Sequence, residues 1–460
     1  MSAAQRPILW PILLLIAAAG FALRIAAGYG GLWLDEAWSA VFAREVSTPA
    51  GVFLGIHHDN NHHLNTLWLQ AVGFDASPVV QRGLSIVSGV AAIVVAGLIG
   101  ARRNPVAAGI TALLFAVSPI LVNYGSEARG YAPMVLALLT AILIVSRWLD
   151  DRDRPSPTLG LAVVCLLGIL GNLTMAFGVV ALAGWVVARV WNEEGTKVAA
   201  RAASRLVALP IVATVAAIVA IVALLPGPDD FHFGAYQTFT GADFVAGLDN
   251  LVAYTFGIGP NSAFPLLTLI ATGLALASFR SLRPRAAFYA LAIVGLPTAV
   301  FALQLGNPGM PRYYLLSSVA LLLLVGEVVG LAVVRRDWLR YAAFGTLAIV
   351  LLASTVRNVE LILNRRADPD QVVAVIARAE PAGGSIAIDR PRAAAVLEAA
   401  AASARYPLAI RPCAGWLFVD RDGADAFPAV PRRCGARYRI VAGGSATGLS
   451  GTHWRLYARE

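Results

Sequence analysis

Two adjacent carboxylates, Asp35 and Glu36, stand between Trp33 and Trp38 in the stretch GLWLDEAWSA, directly after the first long apolar run. Neighbouring carboxylates resist joint ionisation, so one can be tuned toward neutral pH while the other stays charged. That suits a general base for a hydroxyl acceptor, and the aromatic residues on either side suit stacking of a sugar. The plainer alternative is an amphipathic helix over DEAWSAVFARE, whose first turn favours acids and whose Trp residues fit a bilayer surface.

Four further polar clusters carry candidate chemistry. HHDNNHHLNT (57–66) holds four of the six histidines. His58 and His62 lie one helical turn apart, so a divalent cation held by Asp35, His58 and His62 is an open alternative. No further ligand spacing follows, and a polar wall donating hydrogen bonds to a phosphate or sugar is the better reading. NYGSEARGYA (123–132) places Glu127, Arg129 and Tyr131 beside apolar segments, with one charge of each sign. An arginine there offers a planar donor fork to phosphate oxygens. GMPRYY (309–314) offers Arg312 with Tyr313 and Tyr314, either as phosphate contacts or as a snorkelling cation in an aromatic belt. Asp229, Asp230 and His232, in GPDDFHF, read as a solvated loop.

The elements that must position these residues are apolar. The chain has 460 residues, 58% hydrophobic and only 14% charged, with a mean hydropathy of +0.70. Runs near the bilayer-spanning length recur at 8–27, 81–100, 106–122, 131–148, 158–171, 174–191, 206–225, 262–279, 286–303, 313–333 and 340–356. The expected fold is an all-α polytopic membrane bundle of about eleven spans over residues 1–356, followed by a small α/β domain over 357–460.

The net charge of +9 comes from arginines in short loops, not from a basic stripe interleaved with aromatics, so nucleic acid is an unsuitable partner. Arg102–Arg103 and the loops at 147–154, 189–205, 280–285 and 335–340 fall on one face, read as cytoplasmic. Every candidate cluster falls on the other. The N-terminus is therefore expected inside, and the C-terminal domain outside. In an oxidising compartment Cys413 and Cys434 of that domain would form a disulfide; Cys165 lies in an apolar span. DQVVAVIARA has helical spacing, GGSIAIDR and ARYRIVAGG read as strands, and THWRLYARE as an edge strand.

The order and common face of the first-loop acidic pair, NNHHLNT, SEARGYA and RYY resemble the GT-C superfamily of membrane glycosyltransferases. The closest likeness is to its family 39 and aminoarabinose-transferase-like branch, over about residues 8–335. The resemblance implies interfacial helices in the first outer loop, a polyprenyl-phosphate-linked sugar as donor, and an inverting transfer on the outer face. Carried over by position, Asp35 is the first-loop acid that serves as base or organises the acceptor. Glu127 is the second acid, and Arg129 and Arg312 are phosphate contacts. His62 and His63 stand where many relatives carry His-Pro-Pro or Asn-His-Pro.

The expectation is thus a hexosyl- or pentosyltransferase of a bacterial inner membrane. Its catalytic residues are Asp35, Glu36 and Glu127, and its donor phosphate is held by Arg129, Arg312, His62, His63, Tyr131 and Tyr313. No cofactor is called for beyond the lipid-linked sugar, with a divalent cation left open. The acceptor is a glycolipid such as lipid A, a cell-envelope polysaccharide or a protein. A lipid or polysaccharide transporter is the alternative; it would need charged or broken helices near mid-bilayer, whereas the candidate residues sit at helix ends. An O-antigen-ligase-like transferase and a non-catalytic scaffold are weaker readings.

Overall fold

The computed structural model describes residues 6–226, 231–232, 234, 237–423 and 425–460. Asp229 and Asp230 lie outside these described residues.

Apolar runs fold as helices because the bilayer core offers the backbone no partner other than itself. Among the described residues seven are long and apolar enough to cross: Leu9–Ala27, Gly83–Gly100, Tyr131–Asp150, Met175–Glu194, Arg280–Ala302, Pro311–Val333 and Trp338–Ala367. Thr196–Leu206 and Ala208–Leu224 form an eighth if counted as one span bent by 51°. The other three of the eleven expected apolar segments are also helical but shorter: Pro105–Val117, Thr158–Gly171 and Phe264–Ser278, of 13, 14 and 15 residues. At 1.5 Å per residue these reach roughly 20 Å, short of the hydrocarbon thickness. Proline explains the first: Pro119 follows Ser118, and the chain restarts as a separate short helix, Pro119–Tyr124.

The bundle closes tightly where small residues allow it. A Cβ added at Gly330 would lie 2.5 Å from Ala107, and one at Gly326 would lie 2.4 Å from the Thr111 hydroxyl. Helices Pro311–Val333 and Pro105–Val117 therefore touch backbone to backbone. One helix turn along, the buried carboxylate of Glu327 pairs with Arg285 and, at 2.9 Å, with Arg103.

Between the first two long helices the chain forms four short ones, Leu34–Glu45, Pro49–Leu54, His63–Val72 and Pro78–Gln81. After the last long helix come Asp370–Ala379 and a six-stranded sheet: β1 Gly384–Ile388, β2 Leu408–Ile410, β3 Trp416–Arg421, β4 Arg432–Arg433, β5 Ala436–Gly444 and β6 His453–Arg459. The order is β2-β1-β3-β6-β5-β4, parallel across β2-β1-β3 and antiparallel beyond. The reading of 452–460 as an edge strand is corrected, because β6 lies between β3 and β5. Trp454, Leu456 and Tyr457 are buried, so both faces of the strand are covered. Cys413 and Cys434 are joined by a disulfide with Cα atoms 6.0 Å apart, while Cys165 is buried and unpaired.

Glu327→Ala would leave the Arg285 and Arg103 guanidiniums without their carboxylate. We expect a loss of about 3–5 kcal/mol, read as a clear fall in melting temperature, while donor affinity of the folded fraction stays at the wild-type value.

Candidate active site

The Leu34–Glu45 helix starts at Trp33, whose backbone is extended. Successive side chains leave a helix about 100° apart, so Asp35 and Glu36 face different surroundings. Asp35 Oδ2 accepts from Arg129 Nη1 at 2.7 Å and from Arg312 Nη1 at 3.0 Å. The second amine of Arg129 donates to Asn60 Oδ1 at 2.6 Å, and Asn60 Nδ2 in turn donates to the Asp35 carbonyl. The Arg129 guanidinium lies over the Tyr131 and Trp33 rings, 5.1 and 5.9 Å from their centroids, and Arg312 lies 5.6 Å from Tyr313. Loops far apart in sequence thus meet at one carboxylate whose side chain keeps 16% exposure, beside an Arg312 at 12%. Two guanidiniums and one carboxylate leave one formal positive charge in excess.

Glu36 is turned inward with no exposed surface. It forms a two-bond ion pair with Arg82, Oε1 to Nε at 2.8 Å and Oε2 to Nη2 at 2.6 Å. It also accepts from the backbone N–H groups of Ala128 (2.6 Å) and Trp33 (3.2 Å). Burial opposes its ionisation, but the Arg82 guanidinium wins and holds Glu36 below the usual carboxylate range. The expected pair of jointly tuned carboxylates is corrected on this ground: Glu36 is bonded on both oxygens and closed to substrate. Glu127 is equally closed. Its Oε1 accepts from Asn123 (2.7 Å) and Ser450 (2.5 Å), and burial lifts it above the ordinary range despite Arg366. It stands behind the Arg129 loop and does not line the cleft.

Both expected histidines, His62 and His63, are buried. Burial, then the Arg129 charge, hold His62 well below the usual histidine range. Its Nδ1 faces the Gly171 carbonyl at 3.1 Å and the Asn172 amide at 3.4 Å. His63 stacks on Phe53 at 5.0 Å, and burial pushes it down to about 4. The 57–59 segment makes a short backbone bridge to His232, and His58 pairs with Asp59 at 2.9 Å. Asp35, His58 and His62 do not converge, and among the described residues no group of three or more His, Cys, Asp or Glu is placed to hold a metal ion.

Residues 63–218 match the family described as dolichyl-phosphate-mannose-protein mannosyltransferase. Among solved structures, the chain resembles ArnT from Cupriavidus metallidurans in the apo state. The TM-score is 0.59 at 13% identity, over 89% of this chain and 86% of that one. It also resembles the apo oligosaccharyltransferase of Archaeoglobus fulgidus, with a TM-score of 0.50 at 14% identity, over 90% of this chain and 66% of that one. No curated protein sequence matches. The chain thus shares the fold of these two membrane proteins, and about a third of it matches the mannosyltransferase family model.

The matched segment holds Glu127, Arg129 and Tyr131 and leaves out Asp35 and Arg312, so the Asp35 cluster straddles its boundary. An apolar cavity of about 250 Å³ opens beside the same helix as Arg312, lined among others by Phe244, Leu248, Pro297, Phe301, Ser317 and Leu321. Sequence reasoning missed Arg82, Asn60 and Arg366. Arg82 reads as an ordinary helix-end cation, Asn60 as a loop former and Arg366 as part of a polar linker. Only their partners, 46 to 339 residues away along the chain, disclose them.

Below the Asp35 loop, Asp370 crowds Gly31, where an added Cβ would lie 2.3 Å from its Oδ1. Burial, then the neighbouring Asp368 charge, push Asp370 from 3.8 up to about 7. The folded form therefore holds this proton where the unfolded chain has lost it, and stability declines as pH rises from about 4 to 7. We expect Asp370→Asn to raise the melting temperature at pH 8, by a gain on the order of a few kcal/mol. The gain should shrink as pH falls below 7 and vanish near pH 4; equal curves at both pH values would contradict it.

Proposed function

We propose that the chain transfers a single sugar, by inversion, from a polyprenyl-phosphate carrier to a hydroxyl acceptor on the outer face of a bacterial inner membrane, with the N-terminus cytoplasmic and the sheet domain periplasmic. The observation that carries this is the shared carboxylate: Asp35, partly exposed, held by Arg129 and Arg312.

The donor is a phosphodiester with one negative charge, matched to the site's one excess positive charge. Its phosphate oxygens compete with Asp35 for the two guanidiniums, so donor binding frees the carboxylate when a base is needed. The acceptor hydroxyl oxygen then attacks the anomeric carbon from the face opposite the phosphate. The carbon–oxygen bond to phosphate breaks, its electron pair goes to the phosphate oxygen, and the hydroxyl proton goes to Asp35. Charge grows on the departing phosphate, so Arg129 and Arg312 bind the transition state more strongly than the ground state. Tyr131 and Tyr313, already against these guanidiniums, wall the phosphate site. The cavity beside Ser317 and Leu321 accepts part of the polyprenyl chain, on the helix that Arg312 opens. Glu36 and Glu127 act through others, Glu36 by fixing the Ala128 backbone next to Arg129.

The test uses the full chain in nanodiscs with a panel of polyprenyl-phosphate hexoses and pentoses, transfer or slow hydrolysis being followed by mass spectrometry. Asp35→Asn should lose about 10²–10⁴-fold in turnover while it still binds donor. Arg312→Ala should weaken donor binding by about 1.5–3 kcal/mol. Retained turnover in Asp35→Asn removes Asp35 as base, and unchanged affinity in Arg312→Ala returns that residue to a snorkelling role. Wild-type protein that binds none of the panel and releases no sugar would overturn the donor class.

A further inference from the structure

The chain leaves its last long helix through four consecutive non-glycine residues in the left-handed region: Arg365, Arg366, Ala367 and Asp368, with φ of 50°, 55°, 64° and 38°. Cβ sterics disfavour each of them, so the surroundings must hold the run in place. The contacts that do so are unusually specific. Arg366 is fully buried; its Nη1 donates to the Ala27 carbonyl at 2.8 Å, and its Nη2 to the Asn123 carbonyl at 3.0 Å and the Ser126 hydroxyl at 2.9 Å. Its Nε stands 3.8 Å from Glu127. Two residues on, Asp368 Oδ1 accepts from the Gly31 backbone at 2.9 Å.

The same run is gripped from above by the sheet domain. Trp454 Nε1 donates to the Ala367 carbonyl at 2.7 Å, and Thr452 N to that of Arg366 at 3.3 Å. Ser450 donates to Glu127 and accepts from Asn123 Nδ2 at 2.9 Å. A second contact lies behind the Leu34–Glu45 helix. There Ala395, Val396 and Ala399 share one apolar cluster with Ala37, Ala40 and Val41, and Glu398 pairs with Arg44 at 2.6 Å.

The contacts of Arg366, Asp368 and Ser450 fall on two segments, the turn from Ala27 to Gly31 that delivers Asp35 and the 123–127 turn that delivers Arg129. One guanidinium bonds both. We propose that residues 365–370 are a positioning clamp for sugar transfer, in which Arg366 and Asp368, braced by the sheet domain, set the spacing between Asp35 and Arg129. This rests on the reading of Asp35 and Arg129 as the reacting cleft. It gives the sheet domain a part in catalysis without contact with substrate. Lysine at 366 would keep the charge but lose the fork that reaches both turns at once.

The experiment compares full-length wild type with Arg366→Lys, Arg366→Met and Ser450→Ala in nanodiscs. It measures amide hydrogen exchange over 28–36 and 123–130, binding of polyprenyl phosphate alone, and kcat and KM for the donor. Arg366→Met should raise exchange in both segments by about tenfold, weaken phosphate binding by about tenfold and lower kcat. Arg366→Lys should recover part of each loss, and Ser450→Ala should move all readouts the same way by about two- to threefold. If Arg366→Met does not fold, Ser450→Ala decides on the same readouts. Exchange that rises only beyond residue 370, with both segments and phosphate affinity as in wild type, would make Arg366 a mere anchor and overturn the clamp. A wild type that turns over no sugar would sink the transfer reading alone, because exchange and phosphate binding still read the clamp.

Discussion

The fully buried ion pair of Glu36 with Arg82 is the constraint on which the rest of the site depends. Arg82 opens the second long helix and also donates to the carbonyls of Gly28, Gly30 and Gly31. Glu36 reaches the first residues of its own helix and the Ala128 backbone beyond the third apolar segment. A charge pair stripped of water persists only when nearly every donor and acceptor around it is satisfied, so this pair fixes the relative places of three chain segments at once. Asp35, one residue earlier, inherits a position it does nothing to create.

The site thus separates two uses of charge. Pairs with no exposed surface, Glu36 with Arg82 and Glu127 near Arg366, locate backbone. The partly exposed group of Asp35, Arg129 and Arg312 has a surplus cation. The same logic recurs at the other end of the bundle, where Glu327 holds Arg103 and Arg285 far from any candidate chemistry. Charge at a membrane helix end is thus a weak sign of function until its exposure is known.

Much of this architecture was legible in the sequence because its physics is local. Apolar length gave the helices, and the polar tail gave a separate sheet-bearing region; the LDEAW, SEARGY and PRYY stretches supplied three of the residues that meet. What could not be read is long-range. Glu36 is adjacent to Asp35 and chemically similar, and only its contact with Arg82 assigns it to the scaffold. The end of Pro105–Val117 was not legible, because hydropathy continues past the Ser118–Pro119 break. The Ala393–Ser403 helix carries no polar residue besides Glu398 before its final serine, so its buried face had no visible boundary. β6 reads as an edge strand, yet it pairs with β3 on one side and β5 on the other, and β3 lies far from it in sequence.

The central claim is that donor phosphate displaces Asp35 from Arg129 and Arg312. The most direct measurement is a cryo-EM structure of the full chain in nanodiscs with a short-chain polyprenyl phosphate. Phosphate oxygens are expected within hydrogen-bond distance of both guanidiniums, with the Asp35 carboxylate released from them. Phosphate bound elsewhere, with the Asp35 pairs to Arg129 and Arg312 intact, would contradict it.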